Sequence, residues 1–465
     1  MRGRRAFALL MSMRTGKTKT ALDDFGEMEL AGEVRDLLVL APAGAYRVWK
    51  GEFERHASAD LLDRAMLHVW ETKGGVAHNE ALAAFMKRQD PKVPRILLAN
   101  IEATSSVPRS RELLMDFVAQ RRAEVVVDES TKIKNHKAKR SKFIIDRLAP
   151  LSSYRRILSG LPTPQSPLDL FGQFSFLDGS ILGHDSFFTF RNQYAVMSQI
   201  QTRTRQLIWV VKDYKNIDEL YSRIEPHSIR VTLEDVVDDL PPSEWQTRHV
   251  DLTDEQRRAY DSLRENAFAE LEEGGLITAQ LVIVQMLRLH QLLMGFTRDS
   301  EGVLRELPEN RTDALLELLE EYDGKAIVWC SYNHSVARVA AALAKRYGED
   351  SVATFSGLNA STREEDDRRF RTNPKTRWMV ATAGSGGMGR RWDVANLVVY
   401  YSSTNNLEHR YQSEERARDM TKRVPITYVD LIAPGTVDEV IIRALRKKIN
   451  MSAAITGDNY REWLI

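Results

Sequence analysis

Short runs of apolar residues, bounded by turn formers, recur at both ends of the chain. In the first part they cover residues 6–11, 37–41, 96–99, 125–127 and 156–158. In the last part they cover 326–330, 352–355, 378–381, 397–401 and 426–431. Most lack polar alternation, the pattern of strands covered on both faces in a parallel sheet. Amphipathic stretches such as 335–347 lie between them, and Ser361 with Glu364 offers a capping box for a helix running to Phe370. Strand–helix alternation in two separate blocks predicts an α/β fold with two lobes, each on a parallel sheet.

The middle of the chain reads differently. From about residue 187 to 310 strand signals thin out and helical patterns dominate. Thr253 with Gln256 caps one helix reaching about Glu273, Gly274-Gly275 breaks it, and a second helix covers about 276–296. The expected organisation is a first lobe over 1–180, a helical insertion over 181–305 and a second lobe over 306–465.

Composition narrows the class. A chain of 465 residues exceeds one ordinary domain of ~100–200 residues. Net charge is only +1, so a surface for nucleic acid has to be local. The one cysteine, Cys330, sits in an apolar run and excludes a disulfide framework and a cysteine zinc module. Residues 2–11 are basic and then apolar, but Arg14-Thr15-Gly16-Lys17 follows where a leader would carry small residues at a cleavage site. No run approaches the ~20 apolar residues of a membrane span. The expectation is a soluble monomer in the cytoplasm of a prokaryote or of a virus-infected host cell.

Three segments carry candidate chemistry. The first is Met11-Ser12-Met13-Arg14-Thr15-Gly16-Lys17-Thr18, placed after an apolar strand and before a helix over about 18–32. That is the setting of a phosphate-binding loop: backbone N–H groups from Arg14 to Thr18 face phosphates, Lys17 reaches their outer oxygens and Thr18 holds Mg²⁺. Met11 stands where such loops have their first glycine, which leaves a chance Gly-Lys-Thr turn as the rival reading. The second is Asp128-Glu129, at the carboxyl end of the run 125–127, the edge at which open α/β sheets bind ligands. Asp128 is placed to hold Mg²⁺ and Glu129 to position the attacking water, against the plainer reading of an acidic turn. The third is Gln412-Ser413-Glu414-Glu415-Arg416-Ala417-Arg418, either a solvated charged helix face or an arginine finger that neutralises the transferring phosphoryl group.

Together these segments resemble the Swi/Snf-type branch of the superfamily-two DEAD/DEAH-like helicase and translocase ATPases. Ala41-Pro42 and Trp49-Lys50-Gly51-Glu52-Phe53 resemble the motif that lines the DNA path, with Arg47 and Lys50 as backbone contacts. Asp128-Glu129-Ser130-Thr131 with Ile133-Lys134-Asn135 is similar to the Asp-Glu box, and Ser159-Gly160-Leu161-Pro162 to the motif coupling hydrolysis to lobe movement. Phe355-Ser356-Gly357 opens the matching segment of the second lobe. Residues 382–389 look like the glycine-rich motif that touches ATP through Gly387 and Gly389 and DNA through Thr382 and Gly386, with Ser356 beside them. Gln412, Arg416 and Arg418 fall in the final motif, and Asp438-Glu439 fits the closing helix. The resemblance implies two RecA-like P-loop lobes, ATP and Mg²⁺ as cofactors, and duplex DNA as the track. The basic cluster Lys132, Lys134, Lys137, Lys139, Arg140 and Lys142 is a further candidate for phosphate contact, and Trp49 is read as a packing residue.

The departures from the resemblance are specific. The segment that the family carries before the phosphate loop, with a glutamine reading adenine, has no counterpart, so weak base discrimination or a start further upstream is expected. Arg14 replaces a common glycine, Leu161 a threonine, and Arg390-Arg391-Trp392 an apolar and amide-containing stretch. Asp419 takes the place of the second arginine of the final motif, and is expected to point away or to pair with Arg418 or Arg423. The function expected is an ATP-dependent DNA translocase. The alternatives are a strand-separating or fork-remodelling helicase, a restriction-system motor subunit, and a non-hydrolysing DNA-binding scaffold with a degenerate ATP site. The lean chain fits a virus or mobile element.

Overall fold

A computed structural model describes residues 3–201, 207–237, 240–273, 279–299, 301–359, 361–386 and 390–456. They form two compact units. The first takes in 1–195, 214–238 and 451–459; the second takes in 196–213, 239–450 and 460–465.

The first unit is built on strands β1 (Ala6–Met11), β2 (Asp36–Ala41), β3 (Met66–Val69), β4 (Arg95–Asn100), β5 (Ala123–Asp128) and β6 (Tyr154–Leu158). Along the chain come next a two-stranded ribbon that falls mainly in the second unit, β7 (Ala195–Gln201) with β8 (Leu207–Tyr214), and then β9 (Ser228–Val231) of the first. The main sheet has seven strands in the order β3-β4-β2-β5-β6-β1-β9, and its pairs are all parallel. Helices cover both faces, so β2 and β5 are buried at every position. This is why their inner stretches, 37–41 and 125–127, read as unbroken apolar runs.

Besides that ribbon the second unit has β10 (Glu244–His249), a small antiparallel pair β11 (Phe296–Arg298) and β12 (Leu304–Glu306), and then β13 (Ala326–Cys330), β14 (Val352–Phe355), β15 (Trp378–Thr382), β16 (Leu397–Tyr400) and β17 (Thr427–Ile432). Its main sheet has six strands, ordered β10-β17-β16-β13-β15-β14 and parallel throughout. The expected α/β architecture on two parallel sheets is what the structure has. No helix among the described residues is long and apolar enough to cross a membrane.

Where the observed strands begin before the apolar runs, charge is the reason. Asp36 and Arg95 are register partners at the start of β2 and β4, fully buried and paired at 2.5 Å. Arg156 of β6 lies 2.7 Å from Asp24 and 3.4 Å from Glu124 of β5. Buried charges persist only when paired, and burial pushes the Glu124 carboxyl up to about 8. Hydropathy alone truncates these strands at their charged ends.

The segment 181–305, expected as a helical insertion, does contain the long helices Asp254–Glu273 and Ala279–Leu293. Thr253 and Gln256 form the anticipated capping box, each backbone N–H donating to the other side chain at 3.3 and 3.1 Å. The Gly274-Gly275 break lies outside the described residues. The same segment also supplies edge strands to both sheets, β9 beside β1 and β10 beside β17. Edge strands are half-exposed and polar on their open side, which removes the apolar run that marks the inner strands. The capping box expected at Ser361 is not formed. The helix Arg363–Thr372 starts after Thr362 without a side-chain cap, because the Glu364 carboxylate is taken by the Arg390 guanidinium. A charge-assisted fork is the stronger partner.

Candidate functional site

Three adjacent strands of the first sheet, β5, β6 and β1, deliver the candidate residues to one carboxyl edge. Asp128 ends β5 opposite Leu158 of β6, which is itself opposite Leu9 of β1. Ser159 and Gly160 follow β6, and the loop 12–16 follows β1. Sheet register therefore brings Lys17, Asp128, Glu129, Ser159 and Gly160 to the same rim.

The loop after β1 curls through two left-handed residues, Arg14 at φ 66° and Gly16 at φ 92°. Thr15 Oγ1 donates to the Ser12 carbonyl at 2.8 Å, and Ser12 N–H donates to Val231 of β9 at 2.8 Å. The helix Lys17–Leu30 opens directly after Gly16, with no acidic residue in its first turn. Its unsatisfied N–H groups and dipole therefore present a positive end. Lys17 Nζ donates to the Met11 carbonyl at 2.8 Å, which holds the ammonium across the mouth of the loop. Thr18, the second residue of the helix, is half-buried.

Asp128 is 9% exposed, and each of its oxygens receives one donor. Trp49 Nε1 donates to Oδ2 and the Glu129 backbone N–H to Oδ1, both at 2.9 Å. Burial pushes the Asp128 carboxyl up; the Trp49 hydrogen bond, the Lys17 charge and the Glu129 N–H pull it back. Glu129 has φ 48°, a left-handed conformation that a residue other than glycine adopts at a cost. Such strain concentrates at sites where geometry is imposed by function.

Several residues at this rim escaped the sequence reading. Gln173 accepts from Ser130 Oγ at 2.6 Å and donates to the Pro162 and Asp169 carbonyls at 2.7 and 2.8 Å. It thereby ties the Asp-Glu box to the segment after Ser159-Gly160. Its signal was available: a lone amide in the apolar helix Leu170–Leu177 must find partners when buried. Gly172 lets that helix approach, since a Cβ there would lie 2.3 Å from the Ile133 carbonyl oxygen. Arg230 donates to the carbonyls of Leu10 at 2.9 Å and Gly160 at 3.1 Å. Its strand, β9, was itself invisible in the sequence. Trp49 packs as expected, yet it also bonds Asp128.

Arg47 and Lys50 lie at the start of the helix Val48–His56, both exposed, with Arg47 paired to Glu71 at 2.8 Å and Lys50 3.9 Å from Glu54. In the basic cluster Lys137, Lys139 and Lys142 are exposed, whereas Lys132, Lys134 and Arg140 are half-buried.

In the second unit the candidate residues gather at the carboxyl edge of its sheet. Thr382 ends β15 and, with Asn333, Ser402 and His409, lines a cavity of about 480 Å³. Ser356 is buried in a turn, accepting from Leu358 N–H at 3.2 Å and donating its own N–H to Asn359 at 2.9 Å. Gly386 closes the short helix Ala383–Gly386; Gly387 and Gly389 lie outside the described residues. Gln412 is buried on the helix Leu407–Glu414. Just beyond it Arg416 is 3% exposed and donates to the Arg390 carbonyl at 2.7 Å. Trp392 N–H donates back to the Arg416 carbonyl at 3.0 Å. Arg418 pairs with Glu415 at 3.0 Å.

Asp419 corrects an expectation. Its carboxylate, expected to point away or to pair with Arg418 or Arg423, pairs with Arg391. Two departures from the family pattern, the arginine at 391 and the aspartate at 419, thus answer each other across 28 positions.

Comparison with known proteins agrees with this layout. Residues 6–294 match the SNF2-related domain, and residues 310–420 match the helicase conserved C-terminal domain. The chain is 21% identical to the TATA-binding protein-associated factor MOT1 of Saccharomyces cerevisiae, over 90% of this chain and 24% of that protein. It is 21% identical to a human SWI/SNF-related matrix-associated actin-dependent regulator of chromatin (subfamily A member 1), over 90% of this chain and 38% of that protein. An uncharacterised ATP-dependent helicase of Mycoplasma genitalium is 20% identical, over 95% of this chain and 40% of its own length. The chain therefore spans well under half the length of these curated relatives. Among solved structures, the Sulfolobus solfataricus SWI2/SNF2 ATPase core in complex with dsDNA is 20% identical, covering 97% of this chain and 90% of that one with a TM-score of 0.41. Because the SNF2-related domain alone matches more than half of its residues, the chain belongs to the SNF2-related family.

Proposed function

We propose that this protein is an ATP- and Mg²⁺-dependent DNA translocase. The observation that carries the reading is the convergence of Lys17 and Asp128 at one sheet edge, one strand apart, close enough for the lysine charge to act on the carboxylate. A curled loop with a helix N-terminus accepts phosphates through backbone N–H groups, and Lys17 turns from the Met11 carbonyl to their outer oxygens. The Thr18 hydroxyl and the Asp128 carboxylate are hard oxygen donors, the set that suits Mg²⁺ beside phosphate. When bound, Mg²⁺ neutralises charge on the phosphate oxygens. Glu129 orients the attacking water, and Arg416 offsets the negative charge of the transferring group.

For the track, Arg47 and Lys50 supply charge to the DNA backbone, while Thr382, Gly386 and Ser356 offer it uncharged hydrogen-bond donors from the second unit. Ser159 and Gly160 relay nucleotide state, because Arg230 and Gln173 bind that segment to β1 and to the Asp-Glu box. The name of one relative, an ATP-dependent helicase, supports the same reading.

The experiment is ATP turnover by the purified chain with duplex, single-stranded and forked DNA, side by side. Stimulation by duplex is the expected result. Preference for a fork or a single strand replaces translocation by strand separation, and no stimulation by any DNA leaves a binding scaffold.

A further inference from the structure

Trp49 sits on the helix Val48–His56 between exposed neighbours, yet is itself 3% exposed. Its ring lies in the apolar cluster that includes Met11, Leu22, Phe25 and Phe53. An indole N–H buried among hydrocarbon needs an acceptor, and this one is Asp128 Oδ2 at 2.9 Å. Asp128 Oδ1 meanwhile accepts the Glu129 N–H at 2.9 Å. One donor on each oxygen fixes the plane of the carboxylate, since rotating it breaks both bonds. Meanwhile Arg47 and Lys50, on the same turn of chain, project into solvent.

We infer that Trp49 is a positioning residue that holds the Asp128 carboxylate in its metal-binding orientation and links DNA contact at Arg47 and Lys50 to the metal site. The link is short and stiff. A DNA backbone held at the start of this helix steadies a ring whose one polar atom is bonded to the carboxylate. Partners of metal ligands commonly contribute ~10–100-fold in metal affinity. The inference rests on the reading of Asp128 as a metal ligand, and its test separates the two.

The substitution is Trp49→Phe in the full chain, which keeps an aromatic ring and removes the N–H. Mn²⁺ binding is measured by electron paramagnetic resonance with a non-hydrolysable ATP analogue, with and without duplex DNA, alongside thermal unfolding. Wild type should bind Mn²⁺ more tightly when duplex is present. Trp49→Phe should lose about 10-fold in Mn²⁺ affinity and lose the DNA effect, with analogue binding in the absence of metal retained. An unchanged Mn²⁺ affinity overturns the positioning role, and a DNA effect that survives the substitution overturns the link. Asp128→Asn is the control: Mn²⁺ binding that survives there removes the metal-site reading itself. A measurement on the unsubstituted chain guards against a folding defect in Trp49→Phe. With ¹⁵N-labelled indoles, one of the eight tryptophan N–H resonances should shift when Mg²⁺ joins the bound analogue. Eight unmoved resonances overturn the inference.

Discussion

The end of β1 in the first unit and the end of β13 in the second are the same architectural position put to different use. Each strand lies inside a parallel sheet and runs directly into a helix on the carboxyl side. After β1 the chain spends residues 12–16 on a curl with two left-handed residues and enters the helix at Lys17. After β13 only Ser331 and Tyr332 intervene before the helix Asn333–Tyr347. No lysine follows there, and the Tyr332 hydroxyl is occupied by His290 at 2.8 Å. The nearby charges of the second rim are also spent on each other: Arg410 forks onto Asp430 at 2.6 and 2.8 Å and bonds Glu414. The contrast teaches that a parallel sheet supplies a place for chemistry, whereas loop length and a cation resting on a backbone carbonyl make one rim the better candidate for a phosphate.

The largest expected effect removes the cation from the first rim. Lys17→Ala should abolish ATP turnover while leaving the thermal midpoint within a degree or two of wild type, because the side chain contributes one exchangeable hydrogen bond to the fold. Retained DNA-stimulated turnover would show that the β1 loop is no more a phosphate site than the β13 loop is.

Next comes the arginine of the second unit. Arg416→Ala should slow turnover by ~10³–10⁵, the range of arginine fingers, with little change in ATP affinity. Arg418→Ala should cost far less, since its guanidinium already serves Glu415. Turnover of both variants at saturating ATP and DNA gives the ranking, and a larger loss for Arg418 reverses the assignment.

The third effect concerns stability at the β13 end. His290 is buried against Tyr332, and desolvation lowers its pKa to about 4, with Asp438 opposing and Arg311 reinforcing the shift. The folded value lies below the unfolded one of about 6.5, so the contribution is complete above that pH and is lost as pH falls through the window from about 6.5 to about 4. The full swing is on the order of 3 kcal/mol. Urea unfolding at neutral pH and at pH about 5 should show wild type losing stability and His290→Phe losing less. Equal slopes would mean that His290 is already charged in the fold.

The smallest effect probes the curl itself. Arg14 occupies a left-handed conformation at φ 66°, so Arg14→Gly should raise stability by up to about 1 kcal/mol, the steric relief less the entropy of glycine. A fall in the thermal midpoint would show that the contacts of the arginine side chain outweigh its backbone strain.

Much of this was legible beforehand, for reasons that differ by residue. Inner strands such as β1 and β13 matched their apolar runs residue for residue, because burial on both faces leaves no polar position to blur the pattern; the edge strand β14 did so because three of its four positions are buried. The strand–loop–helix setting of Lys17 is local and so is readable. The edge strands β3, β9 and β10 were not legible, since one side of each is open and carries polar residues. Ser361 and Glu364 had the spacing of a cap, and lost it to a distant arginine.

By itself the sequence determined what depends on neighbours along the chain: two blocks of buried strands, a phosphate-type loop before a helix, and an acidic pair after β5. Only tertiary structure decided what those groups bond to. Trp49 reaches Asp128 across 79 positions, Gln173 reaches Ser130 across 43, and Arg391 finds Asp419 across 28. Periodicity and spacing report which side of an element is buried, but a hydrogen bond needs a direction and a distance of about 3 Å. Those follow from sheet order and register, which bring β5, β6 and β1 side by side and set the loop of one strand against the carboxylate of another.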